Sequence, residues 1–309
     1  MINKKIVVTT VAFSKDKELV DKLKSFFADV KVNIEGKRFS KDELIEYLKD
    51  ADGAIVGLDK IDESILAHTP KLKAISKYGV GLDNINFTDS NKYKIEILHT
   101  QGVNKTSVAE EALGLMLMLC RNLYVTSNQL KEGIWNKNGG VQLSGKTVGI
   151  IGVGHIGKEI VRLLKPFGCK ILVNDIIEQK EYYDQNGLIE VTKEEMLKSV
   201  DILTLHTPLT DALQYFINID TLKMMKTTAL IINTARGGLI KQDDLKYALK
   251  QGLIAGAAID VYEEEPPTDG QLLELTNLIN TPHIGGNAIE AVKEMGQAAI
   301  DNIVNYFKE

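Results

Sequence analysis

No part of this chain constrains its fold more than residues 146–175, which read KTVGIIGVGHIGKEIVRLLKPFGCKILVND. A short apolar run at 148–151 is bounded by charge and glycine. That is the pattern of a strand buried on both faces of a parallel sheet. It runs into Gly152, Val153, Gly154, His155, Ile156 and Gly157, and a helical pattern follows with Ile160, Leu163 and Leu164 on one face. Lys170–Asn174 reads as a second strand, and Asp175 stands 18 residues beyond Gly157. Strand, glycine turn, helix, strand and acid, in that order, form the context in which G-x-G-x-x-G binds a dinucleotide. Gly152 permits the tight turn, Gly154 lets backbone approach a pyrophosphate, and Gly157 lets helix and strand pack closely. The helix N-terminus offers unpaired N–H groups and a positive dipole end to the phosphates. Asp175 is expected to accept hydrogen bonds from both ribose hydroxyls and to repel a 2′-phosphate, which favours NAD over NADP. The plainer reading is a tight strand–helix turn with no ligand; the strand before, the helix after and the spaced acid all argue against it.

At 309 residues the chain exceeds one ordinary core and suffices for two domains. A net charge of -5 gives no electrostatic case for nucleic acid or an anionic membrane surface as partner. Cys120 and Cys169 sit in apolar patterns without metal-like spacing. They read as buried thiols in a reducing compartment, and no metal site is expected. The N-terminal MINKKIVVTT reads as a first strand rather than a signal peptide, and no apolar run approaches membrane-spanning length. A cytoplasmic protein is expected.

Short strands are expected at 5–9, 30–34, 54–56, 72–76 and 95–99, alternating with helices at 17–27 and from Ser40, where Glu43 completes a capping box. This argues an α/β fold with an open parallel sheet. One strong helix is expected over 104–124, capped by Asn104 or Thr106, and a loop or arm over 132–143. Further strands at 202–206, 230–233, 255–258 and 278–280 deliver their terminal loops to one crevice. The last helix, from about Asn287 to Phe307, is expected to pack back on the first domain and make it discontinuous.

Three polar residues follow those later strands: Arg236, Glu265 and His283. Singly, each has a plain reading: a solvated charge, one of three glutamates in an acidic loop, a structural histidine. Together they supply what carbonyl reduction requires. A histidine can give the proton to a developing alkoxide. A carboxylate orients the imidazole and stabilises its protonated form. An arginine fork binds a substrate carboxylate and polarises the adjacent carbonyl. His206, at a strand end, is expected to line the cofactor. His155 lies in the glycine turn, facing phosphate.

The chain resembles the D-isomer-specific 2-hydroxyacid dehydrogenases, most closely their phosphoglycerate dehydrogenase branch. The resemblance rests on seven ordered segments: KYGVGLDNIN (77–86), GVNKTSVAEEALGLMLML (102–119), GKTVGIIGVGHIGKEI (145–160), LHTPLT (205–210), INTARGGLI (232–240), GAAIDVYEEEP (256–266) and NTPHIGG (280–286). It implies two doubly wound parallel-sheet domains, a Rossmann-type NAD domain at 101–285 inserted into a flavodoxin-like substrate domain at 1–100 and 286–309. It places Arg236, Glu265 and His283 at the catalytic positions. It implies NAD contacts from His155, Ile156, Asp175, Thr234, Ala235, Arg236, Asp260 and the segment His283, Ile284, Gly285, Gly286, with Thr207 and Thr106 in addition. Tyr78, Gly79, Val80 and Gly81 look like the family's carboxylate-binding turn, joined on the substrate side by Asn104 and Arg236. Lys60 stands where related enzymes often carry phosphate-gripping arginines. A homodimer through the NAD domain is implied. The chain ends 26 residues after His283, so serine feedback through a C-terminal regulatory domain is not expected. The expected reaction is the NAD-dependent interconversion of 3-phosphoglycerate and 3-phosphohydroxypyruvate. The alternatives are a hydroxypyruvate or glyoxylate reductase, a phosphonate-type dehydrogenase, and a non-catalytic NAD-sensing corepressor.

Overall fold

Parallel strands need cover on both faces, and the short apolar runs of this chain supply two inward faces each. The computed structural model describes residues 1–308. The chain divides into two compact units, one of Met1–Asn104 with the segment from Gly286 onward, the other of Lys105–Gly285.

In the first unit β1 (Ile2–Val8), β2 (Phe27–Val32), β3 (Gly53–Val56), β4 (Ala74–Lys77) and β5 (Glu96–Leu98) form one parallel sheet in the order β2-β1-β3-β4-β5. This is the flavodoxin-like strand order. Alternation along the strands feeds two cores. Ile6, Val8 and Ile55 pack with Leu19 and Leu23 of the helix Lys17–Phe26, whereas Val7, Ala54 and Val56 pack with Leu44 and Leu48 of the helix Lys41–Leu48. Ser40 and Glu43 cap that second helix reciprocally, Glu43 Oε2 accepting from Ser40 N at 2.8 Å. The final helix, Ile289–Lys308, lays Met295, Ala299, Ile300, Ile303 and Val304 into the first of these cores. The Ser76 hydroxyl donates to Ala299 O at 2.9 Å across that contact. Ile303 is fully buried. Ile303→Ala is therefore expected to cost about 3 kcal/mol through lost burial and a residual cavity. Urea unfolding followed by circular dichroism measures it, and a loss below about 0.5 kcal/mol would detach the helix from this core.

The second unit holds seven parallel strands: β6 (Thr147–Ile151), β7 (Lys170–Asn174), β8 (Ile189–Glu190), β9 (Ile202–Leu205), β10 (Leu230–Asn233), β11 (Gly256–Ile259) and β12 (Leu278–Asn280). Their order is β12-β11-β10-β9-β6-β7-β8. Counted within the unit this is the doubly wound 3-2-1-4-5-6 order with one strand added. β9 pairs with β6, not with β8. Sheet growth reverses there, and a ligand crevice opens beyond the carboxyl ends of strands at such a switch point.

Two expectations need correction. The helix expected over 104–124 ends at Cys120, and a second helix runs Leu123–Lys131. Asn122 takes a left-handed conformation (φ 52), and Cys120 O accepts from Val141 N at 2.7 Å. The returning segment also gives Gly139 O to Arg121 Nε at 2.9 Å. An unbroken apolar run carries no trace of a partner eighteen or more residues later. Thr106 lies inside the first turn of the longer helix rather than capping it. In the first unit the second strand begins at Phe27, three residues early, because Phe27 closes the preceding helix through Leu23 O and enters the sheet without a loop.

Candidate active site

The glycine turn follows β6. Gly152 has φ +93, and a Cβ there would stand 2.4 Å from His206 O. A Cβ on Gly157 would stand 2.1 Å from Gly152 O, which is the close helix–strand packing. A Cβ on Gly154 would meet nothing within 4 Å. That open space lies at the N-cap of the helix His155–Leu164, whose first N–H groups have no partner within the helix. His155 is exposed and Ile156 half-buried at this helix start. Asp175, half-buried at the end of β7, accepts from Val153 N at 2.5 Å and from Ile177 N at 2.9 Å. Its carboxylate therefore braces the glycine loop.

Beyond β9, the His206 ring is buried and its Nε2 meets Thr204 Oγ1 at 2.7 Å. Burial lowers its pKa to about 3, so the imidazole is neutral at pH 7. Its Nδ1 is buried and has no hydrogen-bond partner among the described residues. Thr207 is half-buried next to it. Beyond β10, Asn233 locks the turn. Its Oδ1 accepts from Ala235 N at 3.1 Å and its Nδ2 donates to Arg236 O at 2.9 Å. Arg236 Nη1 donates to Ala235 O at 2.6 Å, which fixes the guanidinium plane. Thr234 is buried, and its hydroxyl has no hydrogen-bond partner among the described residues.

The turns after β10 and β11 touch through backbone. A Cβ on Gly237 would stand 1.9 Å from Tyr262 O. Glu265 Oε1 accepts from Tyr262 N at 3.2 Å, and Glu265 Oε2 lies 2.7 Å from His283 Nδ1. Backbone contact and side-chain bonds thus join the turns of Arg236, Glu265 and His283. The Glu265 and His283 side chains remain 36% and 43% exposed, so the pair adds little stability and acts by orienting the ring. His283 sits at φ 55, a strained conformation for a non-glycine residue of the kind that gathers at active sites. The next two residues are held by Asp260, whose Oδ1 and Oδ2 accept from Ile284 N and Gly285 N, each at 2.8 Å.

The first unit's expected substrate residues divide. The Tyr78 ring is buried and packs edge-on to Phe13 at 6.2 Å, so this residue offers a ligand only its backbone. Burial raises the Tyr78 hydroxyl to about 12. Gly79 takes φ +108, and Gly79, Val80 and Gly81 are half-exposed. Lys60 is 83% exposed and pairs with Asp62 at 3.0 Å. Asn104 packs against Gly286, its Nδ2 2.9 Å from where a Cβ of Gly286 would stand. Thr106 is exposed on the second unit's long helix.

Three contributors escaped the sequence reading. Asn233 shapes the Arg236 turn, and an asparagine at a strand end before Gly-Gly is the signal that was present. Lys77 is buried. Its ammonium donates to Gly57 O and, at 2.7 Å, to Asn84 Oδ1, tying the loop of Lys60 to the loop beyond Gly81. Glu111 has both carboxyl oxygens buried; nothing in its local pattern separates it from the exposed Glu110 beside it.

Residues 113–285 match the family described as D-isomer specific 2-hydroxyacid dehydrogenase, NAD binding domain. The chain belongs to the D-isomer-specific 2-hydroxyacid dehydrogenases. Among its relatives is a D-3-phosphoglycerate dehydrogenase of Methanocaldococcus jannaschii, 40% identical over 269 residues that make up 85% of this chain and 51% of that protein. This dehydrogenase thus spans about half the length of that relative. A hydroxypyruvate reductase of Thermotoga maritima is 36% identical over 289 residues, 90% of this chain and 91% of that one. A solved D-lactate dehydrogenase of Aquifex aeolicus, complexed with NAD and lactic acid, superposes with a TM-score of 0.84 over 98% of this chain and 96% of its own at 26% identity. NAD suits what the dehydrogenase presents: open space beyond Gly154, a helix N-terminus beside it, and the unpartnered polar atoms of Thr234 and His206. Among the described residues, no helix is long and apolar enough to cross a membrane.

Proposed function

We propose that this dehydrogenase interconverts a D-2-hydroxy acid and its 2-oxo acid, with 3-phosphoglycerate and 3-phosphohydroxypyruvate as the first pair. The contact of 2.7 Å between His283 Nδ1 and Glu265 Oε2 carries the chemical part of this reading. A carboxylate on Nδ1 selects one tautomer and stabilises the imidazolium, so proton exchange with the substrate oxygen runs through Nε2. The Arg236 guanidinium binds the substrate carboxylate as a fork and polarises the adjacent carbonyl. Glu265 touches neither substrate nor cofactor in this scheme and orients the ring. NADH supplies the hydride when bound. Gly152, Gly154, His155, Ile156 and Gly157 hold its phosphates, Asp175 its ribose, and Thr207, Thr234, Ala235 and the Asp260-anchored Ile284 and Gly285 the remainder. The first unit acts as the substrate-binding domain through backbone N–H groups of Gly79, Val80 and Gly81.

The 40% identity to a phosphoglycerate dehydrogenase supports the phosphorylated pair and, with it, a role in serine biosynthesis. One observation favours hydroxypyruvate or glyoxylate instead: Lys60 is already paired with Asp62, which reduces its pull on a phosphate. Steady-state NADH oxidation by the purified protein across phosphohydroxypyruvate, hydroxypyruvate and glyoxylate tests the choice. For the first reading kcat/KM for phosphohydroxypyruvate exceeds the others by about tenfold or more. The reverse order assigns the enzyme to the reductases.

The protein is further proposed to act as a homodimer in the cytoplasm. Leu123, Leu130, Ile134, Trp135 and Val141 expose apolar surface along one stretch of the second unit, in the pattern of a protein interface. Both cysteines are free thiols, which suits a reducing compartment.

A further inference from the structure

Glu111 lies on the helix Lys105–Cys120, yet both its carboxyl oxygens are cut off from solvent and, among the described residues, make no well-formed hydrogen bond. Facing it is Asp260, 1% exposed. The residue between them measures how close they come. A Cβ on Gly285 would stand 2.7 Å from Glu111 Oε2 and 3.2 Å from Asp260 Oδ2. Asp260 uses both oxygens to accept from Ile284 N and Gly285 N, a role suited to the ionised form. Two charged carboxylates in one dry space repel strongly, and a single proton between them removes the conflict.

We propose that Glu111 is a positioning residue: its carboxyl retains a proton, shares it with Asp260, and so steadies the carboxylate that anchors Ile284 and Gly285 beside His283. Other charged groups do not replace this proton. The strand β10 packs on the same helix and carries only Leu230, Ile231, Ile232 and Asn233. On the helix His155–Leu164, also packed there, Arg162 interacts with Glu110 and Glu159 with Lys105. The Leu123–Lys131 helix, whose Tyr124 and Lys131 are its titratable groups, adjoins the far end at Cys120. The Thr281 hydroxyl faces Glu111 and favours its ionised form, against the larger effects that follow. Burial first, then the charge of Asp260, raises Glu111 to about 7. A group raised in the folded state contributes fully in acid and loses that contribution as pH rises through its folded value.

The inference rests on the reading that residues 283–285 border the cofactor, and its test separates the two. Glu111→Gln keeps an N–H donor toward Asp260 and cannot ionise. Tm and NADH affinity are measured for wild type and this variant from about pH 5.5 to about pH 8.5. The Tm of E111Q should rise relative to wild type from the acid end of that range up to about pH 7 and level off above it, once both folded and unfolded wild type are ionised at Glu111. Wild-type NADH binding should weaken roughly tenfold relative to E111Q over the same window. A Tm difference that does not change with pH overturns the shared proton. A changing Tm difference with a constant affinity ratio overturns the positioning role. Glu111→Leu, which offers no donor, should bind NADH more weakly than E111Q at every pH. Equal binding by the two would also overturn the proposal, and the E111Q comparison decides alone should E111L not fold. Failure of the catalytic reading would appear elsewhere, as undiminished turnover in a His283 variant.

Discussion

His283→Ala should lower kcat by about 10²–10⁴-fold while changing NADH affinity by no more than about twofold. The expected loss corresponds to about 3–5 kcal/mol of transition-state stabilisation, the contribution of a positioned proton donor. In the proposed reaction the side chain carries that contribution because its Nδ1 is engaged by Glu265 at 2.7 Å, which orients the ring for proton exchange. The backbone there is set independently, since Asp260 holds the two residues that follow. Alanine at φ 55 is strained much as histidine is. Folding should therefore change little, and single-turnover kinetics with NADH in excess reads the chemical step. A loss below about fivefold would remove His283 from its assigned role.

Two alanines in the glycine turn should both weaken NADH binding but differ in stability. Gly152→Ala places a Cβ 2.4 Å from His206 O at φ +93. The carbonyl belongs to rigid backbone and the Cβ has no rotamer by which to escape it, so the variant should lose roughly 3 kcal/mol or more of stability and much of its NADH binding with it. Gly154→Ala meets no protein atom within 4 Å and has φ -77. It should fold to within about 1 kcal/mol of wild type, yet lose about tenfold or more in NADH affinity, because its methyl enters the space a pyrophosphate needs. Thermal unfolding and NADH titration on both variants separate the two effects. Wild-type NADH affinity in G154A would move the phosphate site away from this turn.

The parts of the fold that were readable from residues share one property: their cause is local. Val148, Ile150 and Ile151 are followed by three spaced glycines, then Ile160 and Leu164, then Asp175. Each signal lies within a few residues of the structure it specifies, and the unit β6–helix–β7 forms as the spacing implies. The Ser40–Glu43 cap is legible for the same reason. The break at Arg121 and Asn122 was hidden because its cause is distant: the carbonyl of Cys120 is taken by Val141, and the turn by Gly139 and Asn138.

The candidate site divides along the same line. That Arg236, Glu265 and His283 are chemically matched can be argued from residue types at strand ends, since a parallel sheet sends those ends to one edge. That Glu265 bridges Tyr262 N and His283 Nδ1 depends on where the turns after β11 and β12 come to rest. Likewise, Tyr78 turns its ring into the core, Lys60 is spent on Asp62, and Glu111 rather than Glu110 is the buried acid. Hydrophobic period and turn chemistry act over a few bonds, so the amino-acid order alone determined the strands, the glycine turn and the set of reactive side chains. Desolvation and pairing act through space between residues far apart in the chain, so only the packed tertiary structure decided which of those side chains meet.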